Sequence, residues 1–163
     1  ITLFIGIVIL FFQRQEIIHL FSWQSPYRYL EFGVGFALIV IVMNMTLSHW
    51  IPEEVSDDGG INDKIFQNRS ILHIILMTFI IALCEEILFR GDIQAAWGAY
   101  WTSVFFAAIH VRYLRHWLMT GLVFAISYGM GWIYIWTGSL WTPIFAHFVI
   151  DLVMGLIRRF QKD

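Results

Sequence analysis

Charge is scarce in this sequence: 10 Lys and Arg with 12 Asp and Glu make up 13% of 163 residues, against 59% hydrophobic ones. A water-soluble domain carries about 25% charged residues, so this composition excludes that class and describes a chain solvated largely by lipid. The net charge of −2 leaves no basic surplus, which excludes a nucleic-acid binder of the usual cationic kind. One cysteine, Cys84, cannot form an internal disulfide. No segment alternates apolar and polar residues with period two, which argues against a membrane β-barrel. Internal repeats and inverted halves are also missing, and these are the usual mark of transporters.

What is present is apolar and aromatic: 18% Phe, Trp and Tyr, with eight Trp and a mean hydropathy of +0.71. Apolar stretches at 1–12, 32–51, 71–97, 100–110, 117–137 and 140–157 predict an all-α, polytopic bundle with about six membrane segments. Six crossings of ~20 residues use up most of the chain, so residues 1–163 read as a single integral membrane domain with no second, water-soluble one. The run to Phe12 begins without a start Met or a basic flank, so the N-terminus reads as truncated rather than as a signal peptide. Trp23, Tyr27, Tyr29, Trp50, Trp97, Tyr100, Trp101, Trp136 and Trp141 cluster near the segment ends, as interfacial belts do. Gly121, Ala125 and Gly129 recur every four residues and form a small-residue stripe suited to close helix packing.

Orientation follows from the basic residues. Lys64, Arg69, Arg112, Arg115, Arg158, Arg159 and Lys162 share one side, against Arg14 and Arg28 on the other, with Arg90 set within the membrane. This asymmetry places the acidic loop at 51–70, the 111–116 connection and the C-terminus in the cytoplasm.

Ionisable residues also lie where lipid disfavours them: Glu85, Glu86, Arg90, Asp92, His110, His147 and Asp151. Each costs at least ~2.5–3.5 kcal/mol at the centre of a bilayer, so each needs a partner or a purpose. On a helix Glu85 and Glu86 project about 100° apart, while Glu86 and Arg90, four residues apart, face each other in the order that favours an ion pair. Glu85 has no such local cation, which makes it the candidate general base. If the chain reverses at Gly98, Glu85 lies 13 residues before the turn and His110 lies 12 after it, each ~20 Å along an antiparallel hairpin. A reversal at Gly91–Asp92 would strand them at different depths. One long helix over about 71–97 is therefore expected.

In the last segment Thr142 and Pro143 read as N-cap and first helical residue, and His147 and Asp151 then lie one turn apart on one face. Asp151 would orient His147, or stabilise it as a cation facing developing negative charge. Two carboxylates and two imidazoles on three helices suggest one site. Glu85 and His110 would deprotonate a buried water attacking a carbonyl and His147 would receive the oxyanion, which is peptide hydrolysis inside a membrane.

Glu85-Glu86-x-x-x-Arg90, Phe106-x-x-x-His110 and His147-x-x-x-Asp151, in that order within 67 residues, resemble the three motifs of the CPBP family of intramembrane proteases. That family takes in the CAAX prenyl endopeptidases and the bacterial Abi proteins linked to bacteriocin self-immunity. Phe89-Arg90-Gly91 and Leu140-Trp141-x-Pro143 are similar to its flanking residues, so the likeness covers roughly the C-terminal half. The resemblance implies that Glu85 and His110 activate the water, that His147 and residue 151 form the oxyanion site, and that Glu86 and Arg90 support them. Position 151 is Asn in the prenyl endopeptidases and Asn or Asp in bacterial members. Asp151 cannot donate a hydrogen bond while ionised, which favours the His-orienting role and a bacterial cell membrane as the setting.

Blander readings stand beside these. Glu86 with Arg90 reads first as a structural ion pair, His147 with Asp151 as a simple clasp, Phe106 as packing and Cys84 as a small core residue. His19, His49, His73 and His116 lie away from the proposed site. No cofactor is expected; the alternative is zinc on Glu85, His110, His147 and Asp151, although the His-Glu-x-x-His spacing is missing. The implied partners are a peptide or membrane-protein substrate, lipidated or not, and the bilayer itself. Two other functions compete: a non-enzymatic immunity or scaffold protein that binds a partner through its helices, and a carrier of protons or metal ions.

Overall fold

A computed structural model describes residues 17–23, 25–52, 55 and 59–161. Among them the regular elements are helical: a single turn at Ile17–Leu20, then α1 (Pro26–Ser48), α2 (Ile61–Phe66), α3 (Ile71–Glu86), a π-helical segment (Ile87–Ile93), α4 (Gln94–Ile109), a 3-10 turn (Val111–Tyr113), α5 (Trp117–Thr137) and α6 (Trp141–Phe160). Among the described residues four stretches are long and apolar enough to cross a membrane: Pro26–Ser48, Ile71–Ile109, Trp117–Thr137 and Trp141–Phe160. The count is smaller than six because 71–97 and 100–110 belong to one folded-back helical run, and because 1–12 lies outside the described residues. The protein is an all-α, integral membrane bundle whose outward side chains, such as Ile39, Val42, Leu72 and Ile135, are apolar and exposed.

The run from Ile71 to Ile109 is a hairpin. Gly98 breaks it with φ 76° and ψ 168°, a region that essentially only glycine occupies. Seventeen residues along one straight helix would separate Phe89 from Phe106 by ~25 Å, yet their ring centroids lie 4.9 Å apart. The return arm, 99–109, therefore lies antiparallel to the helix that precedes the turn. Phe89 and Phe106 face each other across the hairpin.

Between α3 and the turn, seven residues wind as a π-helix, and Ile87 to Asp92 are all buried there. The sequence carries no signal for that widening. π-Helical segments are rare and occur mostly at functional sites. This one surrounds Arg90, the largest fully buried side chain among the described residues.

α6 is the central element, packed against α3 on one side and α1 on the other, with α5 alongside; α5 in turn holds α4. Three apolar clusters join them, centred on Ile87, Leu140 and Ile144, on Leu88, Phe89 and Phe106, and on Met130, Ile133 and Ala146. α1 lies so close to α6 that a Cβ on Gly33 would sit 2.7 Å from the Thr142 carbonyl oxygen. The small-residue stripe on α5 divides: Gly129 receives the ring of Phe36 from α1, whereas among the described residues no other side chain or helix comes within 4 Å of where a Cβ on Gly121 would sit.

α1 begins at Pro26, earlier than the apolar pattern alone suggests, because a proline in the first turn starts a helix without losing a bonded N–H. α6 begins at Trp141, so Thr142 is not its cap but lies inside the first turn, where its hydroxyl bonds that of Thr137 at 2.8 Å. Leu140 N–H donates to the Leu20 carbonyl and Ser139 Oγ to that of Ser22, both at 2.8 Å, which pins residues 17–23 to the α5–α6 connection.

Candidate functional site

Arg90 enters the bundle interior with no solvent contact, so each of its N–H groups needs a partner within the protein. One turn back, Glu86 supplies two oxygens: Nη1 donates to Oε1 at 3.1 Å and Nε faces Oε2 at 3.1 Å. Nη2 reaches across to α5 and donates to both the carbonyl oxygen and the hydroxyl of Ser127, at 3.0 and 2.9 Å. The Phe106 ring closes the guanidinium face, 5.1 Å from centroid to Cζ. The pair is thus a clamp among three parts of the bundle as well as an intrahelical salt bridge.

Glu86 has a second duty. His147 Nδ1 donates to its Oε1 at 2.8 Å, joining α6 to the same cluster. On the other side of the ring, His147 Nε2 lies 3.4 Å from Asp151 Oδ2. The close partner of His147 is therefore Glu86 from another helix, and Asp151, with 32% of its side chain exposed, is the looser one. Spacing along α6 alone points to Asp151 and cannot reveal Glu86.

His110 closes the return arm of the hairpin. Its Nδ1 lies 2.7 Å from the Phe106 carbonyl oxygen. A carbonyl only accepts, so Nδ1 carries the hydrogen and the neutral ring keeps its basic lone pair on Nε2. The Phe106 ring lies between the two imidazoles, with its centroid 4.5 Å from that of His110 and 6.2 Å from that of His147. Phe106 is packing, as expected, but it packs the site itself.

Glu85 makes no hydrogen bond or ion pair with any described residue. It stands near enough to His147, Asp151, Glu86 and Arg90 to feel the charge of each. His110 likewise feels His147, Asp151 and Arg112. The structure thus gathers Glu86, Arg90, His147 and Asp151 by direct contact, and Glu85 and His110 each stand in the field of His147 and Asp151. Asp92, a third buried acid, lies toward the Gly98 end with neither oxygen hydrogen-bonded. His49, His73 and His116 lie at helix ends.

Among the described residues no three His, Cys, Asp or Glu side chains are disposed to hold a metal ion, and both His147 nitrogens already face carboxylates. Ser127 is the residue that sequence reasoning misses. The signal available was indirect: a buried arginine has more donors than one carboxylate can absorb, so an acceptor from another helix was required, but nothing in the pattern says which.

Residues 67–153 match the family described as type II CAAX prenyl endopeptidase Rce1-like. The chain is also similar to the uncharacterized protein YpbD of Bacillus subtilis strain 168, with 48% identity over 134 residues that cover 82% of this chain and 71% of that protein. No solved structure matches. All three motif pairs, from Glu85 to Asp151, fall inside the matched region. The chain belongs to the Rce1-like family of type II CAAX prenyl endopeptidases, a protease family set in the membrane.

Proposed function

We propose that this protein is an intramembrane endopeptidase of the glutamate/histidine type, in which Glu85 and His110 activate water and the Glu86–His147–Asp151 array stabilises the oxyanion. The observation that carries this reading is the pair of imidazoles fixed about Phe106, each by its Nδ1: the Phe106 carbonyl commits His110 Nδ1 as a donor, and Glu86 holds His147 through its own Nδ1.

In this scheme water, held between Glu85 and His110 Nε2, loses a proton to one of them as its oxygen bonds the scissile carbonyl carbon. The carbonyl oxygen, now negative, is met by His147 Nε2–H once Asp151 yields it. Collapse of the intermediate breaks the C–N bond, and the abstracted proton passes to the leaving amine. Asp151 orients the ring and shares its charge; it does not donate to the oxyanion. Arg90 and Ser127 keep Glu86 in place and do not touch substrate.

The substrate is a peptide or membrane-protein segment, lipidated or not, that reaches the site through lipid or from the cytosol. The basic side of the bundle, with the C-terminus, is the cytoplasmic side of a bacterial cell membrane. Asp at 151 favours the bacterial members of the resemblance, including those linked to bacteriocin immunity.

The test is turnover of a peptide library by the protein in liposomes, with identification of the peptides that accumulate in Glu85→Gln, which keeps shape and removes the base. Glu85→Gln and His110→Ala are each expected to lose turnover by about 100-fold or more, and parental rates in both would overturn the scheme. A second reading draws on the open surface at Gly121, a face on which a partner helix could seat. A scaffold or immunity protein would keep its protection in those two variants and lose it on enlarging Gly121.

A further inference from the structure

α2 lies outside the family-matched region, yet it touches both walls of the proposed site. On one wall, Arg112 Nη1 donates to Asn62 Oδ1 at 3.2 Å, and Asn62 Nδ2 donates to the Tyr113 hydroxyl at 3.4 Å. These contacts fall two and three residues after His110, in a turn that closes on His110 itself, because Tyr113 N–H donates to the His110 carbonyl at 2.9 Å. On the other wall, Phe66 fills the notch at Gly155, where a Cβ would come within 2.5 Å of its ring, and Asp63 Oδ1 lies 3.8 Å from Arg158 Nη1. Gly155 and Arg158 follow Asp151 by one and two turns of α6.

The hairpin by itself does not fix the spacing of these walls. The arms meet at the π segment, where Phe89 packs on Phe106, on the Gly98 side of Glu85 and His110. The end of the arm that carries His110 is held from elsewhere, by Thr120 Oγ1 on the Tyr113 carbonyl at 2.7 Å and by α2. Six residues of helix thus span the gap that Glu85, His110 and His147 must share.

We propose that α2 is a strap that sets the distance between the His110 wall and the His147–Asp151 wall, with Asn62 as a positioning residue for His110. The proposal rests on the protease reading above. It places the reach of His110 toward the attacking water under the control of a segment that contributes no catalytic group. The short, uncharged side chain of Asn62 is suited to the role because it offers an acceptor to Arg112 and a donor to Tyr113 at once.

The experiment combines kinetics with a distance measurement. Spin labels are placed at Arg115→Cys, beyond His110, and Gln161→Cys, at the end of α6, both exposed, in a Cys84→Ala background reconstituted in liposomes. The Asn62→Ala variant is expected to broaden the distance distribution toward longer values and to lower kcat about tenfold with KM unchanged. Asn62→Asp, which keeps the acceptor for Arg112, recovers most of both. Tyr113→Phe, which leaves packing intact, gives a smaller effect in the same direction and serves if Asn62→Ala fails to fold. An unchanged distribution, or a broadened one with parental kcat, overturns the proposal. If Glu85→Gln retains turnover, the protease reading fails separately, and the distances alone then decide whether α2 holds the walls.

Discussion

Arg90 brings five N–H donors into an interior where no solvent reaches it, and the arrangement around it follows from that need. Glu86 and Ser127 take the guanidinium edge and Phe106 takes its face. Hydrogen bonds between membrane helices average roughly 0.6 kcal/mol, whereas those to charged groups contribute about 1.5–3. Burial decides between the two figures: Ser127 is 1% exposed and Arg90 0%, so no water replaces a lost acceptor. Ser127→Ala is therefore expected to destabilise by about 1.5 kcal/mol, and Ser127→Thr by much less, as read from thermal unfolding in detergent. Equal midpoints for Ser127→Ala and the parent would show that the carbonyl oxygen alone satisfies Nη2. The Glu86–Arg90 pair was legible in the sequence because four-residue spacing on a helix is a local rule. Ser127 and the Glu86–His147 bond were not, because both depend on which helices become neighbours, and a single apolar run does not record that.

At the scale of elements, the hairpin folds the arm that ends at His110 back along the one that carries Glu85. Its turn could be read from the sequence by symmetry, since only a reversal near Gly98 puts an acid and an imidazole at one depth. The structure supplies the physical reason, a backbone conformation closed to side chains. The π segment could not be read, because apart from Gly91 its residues give no signal that separates a π-helix from an α-helix. Gly98→Ala places a Cβ where φ is +76°, although no neighbour crowds the position. The expected cost is thus conformational alone, about 1–3 kcal/mol. If the turn shifts to relieve that strain, the pairing of Glu85 with His110 slips with it. Turnover is then expected to fall by more than the loss of folded protein explains, as judged by specific activity of the folded fraction separated by size exclusion. Parental specific activity would mean that the register is set by Phe89 against Phe106 and not by the turn.

Across the whole molecule, the four long helices among the described residues leave their apolar sides to lipid, and Lys64, Arg112, Arg158 and Arg159 gather at one end. The structure ties this end together independently of any charge rule: Asn62 meets Arg112, and Asp63 meets Arg158, so α2, the 111–113 turn and the end of α6 share a side. Gly98 lies at the other end, flanked by exposed Trp97, Tyr100 and Trp101, aromatic residues of the kind that anchor at a headgroup boundary. A thiol at Lys64 or Arg115 and one at Tyr100 should therefore face opposite compartments. In sealed vesicles of one orientation, with Cys84→Ala as background, a membrane-impermeant maleimide is expected to label Lys64→Cys and Arg115→Cys from the same side. Tyr100→Cys should be labelled only from the other side. Labelling of all three from one side would place the Gly98 turn and the basic end in one compartment. The hairpin would then not reach across the bilayer, and Glu85 and His110 would sit outside its core, where the cost of burying them, and the argument that they need a purpose, would vanish.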